Sequence, residues 1–479
     1  MRIQSHPILT FPREKKITFL FDGKKITGFK EDSIASAIHA TGISTFSHSL
    51  RYNRPRGFFC GIGKCSSCLM QVNGIPNVRT CITPIHEGMT VQTQKKTGSH
   101  PTAPFKPTTK KKRHIHIAIV GAGPAGLSAG MEAAKQGAHV LLVDENPRLG
   151  GQLIKQTHRF FGSKEEQAGT RGIYIAEELY HQINHTKKID LLLNTTVIGY
   201  YKQKNTHTLI ALKRLKSGEE LFEIHCDKII FACGARENML SFPGNDLPGV
   251  YGAGGVQTLM NVYGIKPGST VLMVGAGNVG LIVSYQLLQA GVHVCRVVEA
   301  LPTIGGYHVH AAKVRRCNIP IYTSMSIKEA VGTEKVTGAV TMRLTKDLCP
   351  IKNSEETISC DTICLAVGLT PSTELLMQTD AQMTYLSLAG GYVAVHNQDM
   401  ETTQGGIYVA GDLANIEEAS TAMLEGKIAG LAAVRSLGYR ETVDEKLAEC
   451  CKRLEGLRQG SFGKFPREAK RQIQKEWSK

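Results

Sequence analysis

A pattern of strand, glycine-rich turn, helix, strand and acid occurs twice in this 479-residue chain, and it restricts the fold more than any other feature. The first copy opens with the apolar run 115–120. It turns through Gly121-Ala122-Gly123-Pro124-Ala125-Gly126 into a helix of small residues and closes on the strand 140–143, followed by Asp144 and Glu145. Gly121 permits the tight turn, Gly123 lets backbone approach a pyrophosphate, and Gly126 lets helix and strand pack closely. The positive end of the helix then faces the phosphates. Asp144 lies 23 residues past Gly121, a distance that suits a carboxylate on an adenosine ribose, with Glu145 as the fallback. In the second copy the strand 270–274 leads into Gly275-Ala276-Gly277-Asn278-Val279-Gly280, a helix, the strand 294–298 and Glu299. Glu299 falls 24 residues past Gly275, one later than its counterpart. Two readings of this loop stay open: NAD(P) binding, or a fold unit kept for its architecture.

A third element joins the two. Residues 402–412 form a strand ending in Gly411-Asp412, followed by the small-residue helix 418–430. This resembles the late motif of flavoproteins with two dinucleotide-binding domains. The resemblance implies FAD on the first loop, with Asp412 near the ribityl–phosphate region and the following helix aimed at the flavin ring. Segments 229–235 and 362–371 resemble the crossovers that join the FAD and NAD domains of that fold. The expected organisation is an FAD-binding domain in two parts, 114–250 and 366–440, with an NAD(P)-binding-like domain inserted at 251–365.

Upstream, Cys60, Cys65, Cys68 and Cys81 stand in the run CGIGKCSSCLMQVNGIPNVRTC. C-x4-C-x2-C spacing lets one loop wrap a small inorganic cluster while the fourth thiolate arrives from a separate strand, the plant-type pattern for [2Fe–2S]. Asn73-Gly74 is a hairpin signal that brings Cys81 back toward the loop. A four-cysteine zinc site or reduced structural thiols are the alternatives; zinc prefers two short knuckles, and Cys81 has no CxxC partner. Two alternating runs around Asp22-Gly23, a short helix at 32–40 and the cysteine loop predict a β-grasp ferredoxin-like domain over 1–98. A Thr/Lys/Pro-rich linker is expected at 99–113, and a basic C-terminal tail at 441–479. The fold class is therefore α/β, a [2Fe–2S] ferredoxin-like module followed by a Rossmann-like flavoprotein with two dinucleotide-binding domains.

Formal net charge is +16, but no helix-turn-helix, RNA-binding or zinc-finger signature accompanies it, so nucleic acid is not the expected partner. No apolar run reaches the roughly 20 residues of a membrane span. Thirteen scattered cysteines fit a reducing, cytoplasmic compartment. Residues 149–156 contain no cysteine, and the second domain has no CxxC pair, so disulfide exchange is not expected. No acid–base pair for substrate chemistry stands out, so the sequence assigns no catalytic residue.

CGIGKCSSCLMQVNGIPNVRTCITP is similar to the cluster modules of molybdenum hydroxylases, yet more so to the iron–sulfur subunit of hydrogen cyanide synthase. A molybdopterin domain would not fit in this length. GAGPAGLSAG, the Gly150-Gly151-Gln152 turn and FACGARENMLSFPGNDLPGVYGAGGVQTLMN resemble the FAD-binding partner subunit of the same synthase. Fused, the pair resembles the α subunits of sarcosine-oxidase-like, opine and dye-linked proline or hydroxyproline dehydrogenase complexes. The resemblance implies an electron-transfer subunit of a hetero-oligomer. In it, an amino-acid-oxidase-type flavoprotein chain oxidises the amine, with FMN expected at the interface. Some relatives continue into a second cluster module, for which Cys450-Cys451 alone is insufficient. The rival reading is a free-standing NAD(P)H:acceptor oxidoreductase; a redox-sensing or structural subunit is the non-enzymatic one.

Overall fold

The computed structural model describes residues 1–94, 96–98, 110–160, 163–203, 206–215, 218–439, 442–460 and 463–479. The chain forms two compact units, each built from two stretches: Met1–Pro104 with Glu237–Gly368, and Phe105–Arg236 with Leu369–Lys479.

In the first stretch, β1 (Lys16–Phe21) and β2 (Lys24–Phe29) alternate so that Ile17, Phe19 and Phe21 are buried together. Asp22 (φ 46°) and Gly23 (φ 78°) make the left-handed turn that matches strand twist. Helix α1 (Ile34–Ala40) starts on a capping box in which Ser33 and Ser36 satisfy each other's backbone N–H groups. After β3 (Ser47–His48) and β4 (Pro55–Arg56), the cysteine loop leads into β5 (Leu69–Val72). β6 (Ile75–Arg79) returns around Asn73-Gly74, and β7 (Thr90–Thr93) completes the sheet in the order β2-β1-β7-β5-β6. This is the β-grasp expected from the sequence.

The second unit opens with β8 (Lys110–Val120), α2 (Pro124–Lys135), β9 (Val140–Val143), α3 (Gly172–Asn184) and β10 (Ile189–Leu192). The long antiparallel strands β11 (Thr195–Gln203), β12 (Thr206–Leu215) and β13 (Gly218–Phe231) follow, then the short β14 (Ala235–Glu237). Strand order is β10-β9-β8-β13-β12-β11. Of the linker expected at 99–113, residues 99–109 lie outside the described residues, and Lys110–Arg113 are strand rather than linker. Glu223 and Glu220 on β13 explain it: Lys110 pairs with the first and Lys111 with the second, at 2.6 Å, so a lysine run that reads as solvated is held in register by acids on the neighbouring strand.

The chain then completes the first unit with β15 (Val250–Gly252), α4 (Ala253–Gln257) running into a π-helical turn (Thr258–Val262), β16 (Thr270–Val274), α5 (Asn278–Gln289), β17 (His293–Val298), α6 (His308–Arg316) and β18 (Ile321–Tyr322). The antiparallel β19 (Met325–Val331), β20 (Gly338–Arg343) and β21 (Glu356–Ser359) precede β22 (Thr362–Leu365), which enters the parallel sheet β15-β22-β16-β17-β18. One apolar core unites the two halves of this unit: Phe19, Ile34, Ile38, Phe46 and Phe58 pack in the same cluster as Tyr251, Val256, Leu259, Leu281 and Val283.

β23 (Leu369–Pro371), β24 (Met383–Leu386), β25 (Gly391–Ala394), β26 (Ile407–Val409) and helices α7 (Ala419–Ser436), α8 (Val443–Leu457) and α9 (Lys464–Trp477) finish the second unit, with β26 pairing β13. The segment expected as a basic tail is thus largely helical. Val443, Leu447, Cys450 and Leu454 on α8 and Ala469 and Ile473 on α9 are buried, which spaces apolar positions three or four apart inside a charged sequence.

Candidate functional site

The cysteine loop takes its shape from Gly61 (φ 65°) and Gly63 (φ 73°), left-handed positions that let it curl around a small volume. Cys60, Cys68 and Cys81 are buried, and Cys65 is half-buried. The thiols meet pairwise: Cys60 with Cys65, Cys68 with Cys81, and Cys60 with Cys81. Contact with Cys65, then Cys81, holds the Cys60 pKa well below the usual thiol range, and Cys81 lowers that of Cys68; the same contacts push the partner thiols up, Cys65 through Cys60 and Cys81 through Cys60 and Cys68. Among the described residues, no three His, Cys, Asp or Glu converge as ligands of a single ion. Two thiol pairs joined by one contact suit a binuclear cluster with two ligands per iron, rather than one tetrahedral zinc. Backbone N–H groups of Ile62 and Lys64 approach Cys60, that of Ser67 approaches Cys65, and that of Cys81 approaches Cys68. Such donors stabilise thiolate charge and tune a cluster's potential. The four cysteines therefore fit a [2Fe–2S] group.

The loop is fastened on three sides. Thr80 Oγ1 donates to the Cys68 carbonyl (2.6 Å), Ser47 Oγ to the Ser67 carbonyl (2.8 Å), and Gly252 N–H to the Phe59 carbonyl (3.2 Å). A Cβ on Gly255 would overlap that Phe59 carbonyl, which explains the last glycine of the GAGG run at the start of α4.

In the first glycine turn, Gly121 sits at φ 107° and a Cβ there would overlap the Ala232 carbonyl; a Cβ on Gly126 would overlap the Gly121 carbonyl. Gly123 is different. Its φ of −78° and ψ of −175° are open to any residue, and a Cβ would meet nothing nearer than Gly151 Cα at 3.9 Å. The protein itself gives no reason for glycine here; a phosphate drawn against the start of α2, with Pro124 at its first turn, does. Asp144 Oδ2 accepts from Ala122 N–H (2.6 Å), and Oδ1 accepts from both Asn146 N–H (2.7 Å) and Asn146 Nδ2–H (2.9 Å), leaving a lone pair on Oδ2 for a ribose hydroxyl. Burial pushes its pKa up. Glu145 is half-buried beside it. Gly150 N–H donates to the Ala122 carbonyl (2.9 Å), and the Gly150-Gly151-Gln152 turn lies against Gly123, where a Cβ on Gly151 would come within 2.7 Å of Gly123 Cα.

The second turn repeats this geometry. Glu299 Oε2 accepts from Ala276 N–H (2.7 Å) and Oε1 from Leu301 N–H (3.0 Å), the pattern of Asp144. A β-bulge supplies the register: Val271 pairs with Val294 but Leu272 with Arg296, so Cys295 absorbs the extra residue and brings Glu299 into line. Gly306 N–H donates to the Ala276 carbonyl (3.0 Å), copying Gly150, and a Cβ on Gly277 would meet nothing within 4 Å. Gly275 and Gly280 carry the same backbone constraints as Gly121 and Gly126.

The third motif is tied to the C-terminal helices. Gly411 N–H donates to Glu425 Oε2 (3.0 Å), and Glu417 N–H approaches Asp412 Oδ1 (3.4 Å). Burial pushes the Asp412 pKa up to about 7. Arg458, at the C-terminal cap of α8, bridges Glu417 and Glu425, each at 2.6 Å, and Lys470 of α9 reaches Glu425 at 2.7 Å and His396 at 3.1 Å. Burial alone would raise the Glu425 pKa; Lys470 and Arg458 more than offset it, so the carboxylate stays charged. His396 is driven down to about 3 by burial and Lys470, and is neutral. Sequence reasoning singles out none of these five residues. A lone glutamate inside the Ala/Gly-rich α7 is the signal that could have found them. The small residues of α7 are there for packing: a Cβ on Gly426 would overlap the Ala125 carbonyl of α2.

Residues 115–426, well over half of the chain, match the pyridine nucleotide-disulphide oxidoreductase family. The chain belongs to that family. Residues 14–96 match the 2Fe-2S iron-sulfur cluster binding domain. The sarcosine oxidase subunit alpha of Rhizobium meliloti (strain 1021) is 25% identical over 494 residues, covering 89% of this chain and 46% of that protein. The hydrogen cyanide synthase subunit HcnB of Pseudomonas protegens is 27% identical over 343 residues, covering 68% of this chain and 71% of that protein. The crystal structure of L-proline dehydrogenase from P. horikoshii shares the fold, with a TM-score of 0.70 and 24% identity over 93% of this chain and 79% of that one. The chain thus spans about half the length of the sarcosine oxidase subunit it matches. This member of the pyridine nucleotide-disulphide oxidoreductase family is a flavin oxidoreductase with an FAD-binding fold and a [2Fe–2S] domain. Among the described residues, no helix is long and apolar enough to cross a membrane.

Proposed function

We propose that this chain is the FAD- and [2Fe–2S]-containing electron-transfer subunit of a multi-subunit amine or imino-acid dehydrogenase or oxidase, acting on proline, hydroxyproline, sarcosine or opine-type donors. One observation carries the reading. A four-thiol loop and a dinucleotide fold occur in one chain, and residues 149–156 carry no redox cysteine pair. FAD accepts electron pairs and releases them singly, and a [2Fe–2S] centre carries one at a time. In this reading residues 114–250 and 366–440 hold FAD: Gly121, Gly123 and Gly126 admit the pyrophosphate, Asp144 accepts a ribose hydroxyl on Oδ2, and Gly151, Gln152, Gly411 and Asp412 line the rest. Cys60, Cys65, Cys68 and Cys81 hold the cluster. An amino-acid-oxidase-type flavoprotein chain supplies electrons, with FMN at the interface, in the cytoplasm. The subunit names of the relatives support a hetero-oligomer.

A second reading, a free-standing NAD(P)H:acceptor oxidoreductase, draws on Glu299, whose hydrogen bonds repeat those of Asp144 and favour a nucleotide on the 275–280 loop. Dye reduction by the purified chain separates the two. The subunit reading expects no turnover of proline, hydroxyproline, sarcosine, glycine or opines by the lone chain, and activity once a partner flavoprotein is added. Robust amine turnover by the chain alone overturns it, and fast NADH-to-dye turnover without a partner establishes the second reading instead.

A further inference from the structure

The cluster loop lies in a stretch without carboxylates. From Ser33 to His86 the sequence has no Asp or Glu, yet Arg51, Arg54, Arg56, Lys64 and Arg79 fall within it. Three of the five stand on or beside one hairpin. β3 and β4 enclose the tip 49–54, which backbone bonds hold rigid: Ser49 N–H donates to the Arg54 carbonyl (2.8 Å) and Asn53 N–H to the Ser49 carbonyl (3.0 Å), while Arg54 N–H donates to Ser49 Oγ (3.0 Å). Asn53 takes the left-handed conformation (φ 51°) that closes the tip.

What this rigid tip presents is unusual for a surface turn. Leu50 is 68% exposed and Tyr52 61% exposed, so the tip turns two large apolar side chains outward. The guanidinium of Arg51 lies 5.2 Å from the Tyr52 ring centre and that of Arg54 lies 4.9 Å from it, so the tyrosine is flanked by two cations. Asp246 is the acid that faces this group, at 4.0 Å from Arg54. Arg56, at the base, has a buried Nε without a hydrogen-bond partner. Exposed tyrosine and arginine on a pre-ordered element are the composition of an interface centre. The hairpin is also coupled to the cluster: its Ser47 Oγ donates to the Ser67 carbonyl, beside Cys68, and the exposed Ser66 marks where the loop meets solvent.

We propose that hairpin 47–56 is the docking surface for an acidic, one-electron carrier protein, which exchanges electrons with the cluster at its Lys64–Ser67 rim. The inference rests on the electron-transfer reading above. One electron leaves the reduced cluster and reduces the carrier; no bond is made and no proton moves. Positive charge around a cluster entrance concentrates an acidic partner and speeds encounter, an effect that salt removes.

The probe is an acidic b-type cytochrome domain, with a basic c-type cytochrome as its counterpart. Calorimetry on the full, cluster-loaded chain should show the acidic cytochrome binding at low salt, with affinity lost at high salt. Arg51→Glu/Arg54→Glu should weaken that binding at least tenfold and slow electron transfer in rapid mixing by a similar factor, and Tyr52→Ala should weaken binding without changing its salt slope. The c-type cytochrome should bind the charge-reversed variant better than the wild type. The EPR signal of the reduced cluster, measured in the same samples, reports whether each variant folds and holds its cluster. Unchanged affinity and rate in charge-reversed protein with a normal signal overturn the docking site and leave the electron-transfer reading intact. Loss of self-association in that variant assigns the hairpin to a second copy of the chain and also overturns it. A wild type without the signal removes the electron-transfer reading itself.

Discussion

Gly123→Val is expected to purify as a folded protein with almost no FAD, whereas Gly126→Val is expected to be unstable. The two glycines stand three residues apart in one motif and look interchangeable in sequence. The structure separates them. Gly123 has an extended conformation that valine adopts readily, and the space in front of it is open to 3.9 Å. Bulk placed there occupies the path of the pyrophosphate and leaves the chain's own packing intact. At Gly126 an added Cβ overlaps the Gly121 carbonyl, so the helix must move off the strand, at a cost of roughly 1–3 kcal/mol or more. Flavin absorbance per chain and a urea unfolding midpoint, measured together, resolve the two effects. Full yellow flavin content in Gly123→Val would remove FAD from this loop. Gly277→Val is the matched experiment on the second turn, where space is equally open, and any nucleotide held there should be lost from that variant alone.

The second large effect is expected at Arg458. Its guanidinium bridges two carboxylates that are almost fully buried, Glu417 and Glu425, and Glu425 in turn accepts the Gly411 N–H. Arg458→Met leaves two buried carboxylates with Lys470 as the remaining cation on Glu425, and breaking a buried network in this way costs about 3–5 kcal/mol. Denaturant unfolding of the variant should show a loss of that size. Because the Gly411 turn is held through Glu425, flavin should also dissociate more readily. Arg458→Lys keeps the charge and loses the two-pronged geometry, and should fall between the two. An Arg458→Met protein as stable as the wild type would mean that the C-terminal helices are not anchored through this network.

Where sequence reading succeeds, local chemistry carries the information. Asp22-Gly23 and Asn73-Gly74 dictate hairpins through left-handed φ angles, and both form. Gly121 and Gly275 demand the same turn, at φ 107° in each. What stays illegible depends on residues distant in sequence. Lys110–Arg113 read as linker because the acids that hold them, Glu220 and Glu223, come more than a hundred residues later. Glu299 falls one residue late by count because a bulge at Cys295 is invisible to spacing rules. The helices of the C-terminal segment are charged on their surface, and only the buried Arg458 and Lys470 reveal that they complete the Gly411 turn. A second Gly-Gly pair, Gly305-Gly306, stands in the sequence after the second turn as Gly150-Gly151 does after the first, with Gly306 making the bond that Gly150 makes.

The central claim is that one chain holds both a flavin and a binuclear iron–sulfur cluster on the residues named here. Anaerobic purification followed by iron, acid-labile sulfide and FAD determination, with EPR of the reduced sample, tests it most directly. About two irons, two sulfides and one FAD per chain are expected, with a rhombic spin-½ signal that disappears in Cys68→Ala. Zinc in place of iron in a faithfully expressed sample, or a cluster signal that survives Cys68→Ala unchanged, would contradict it.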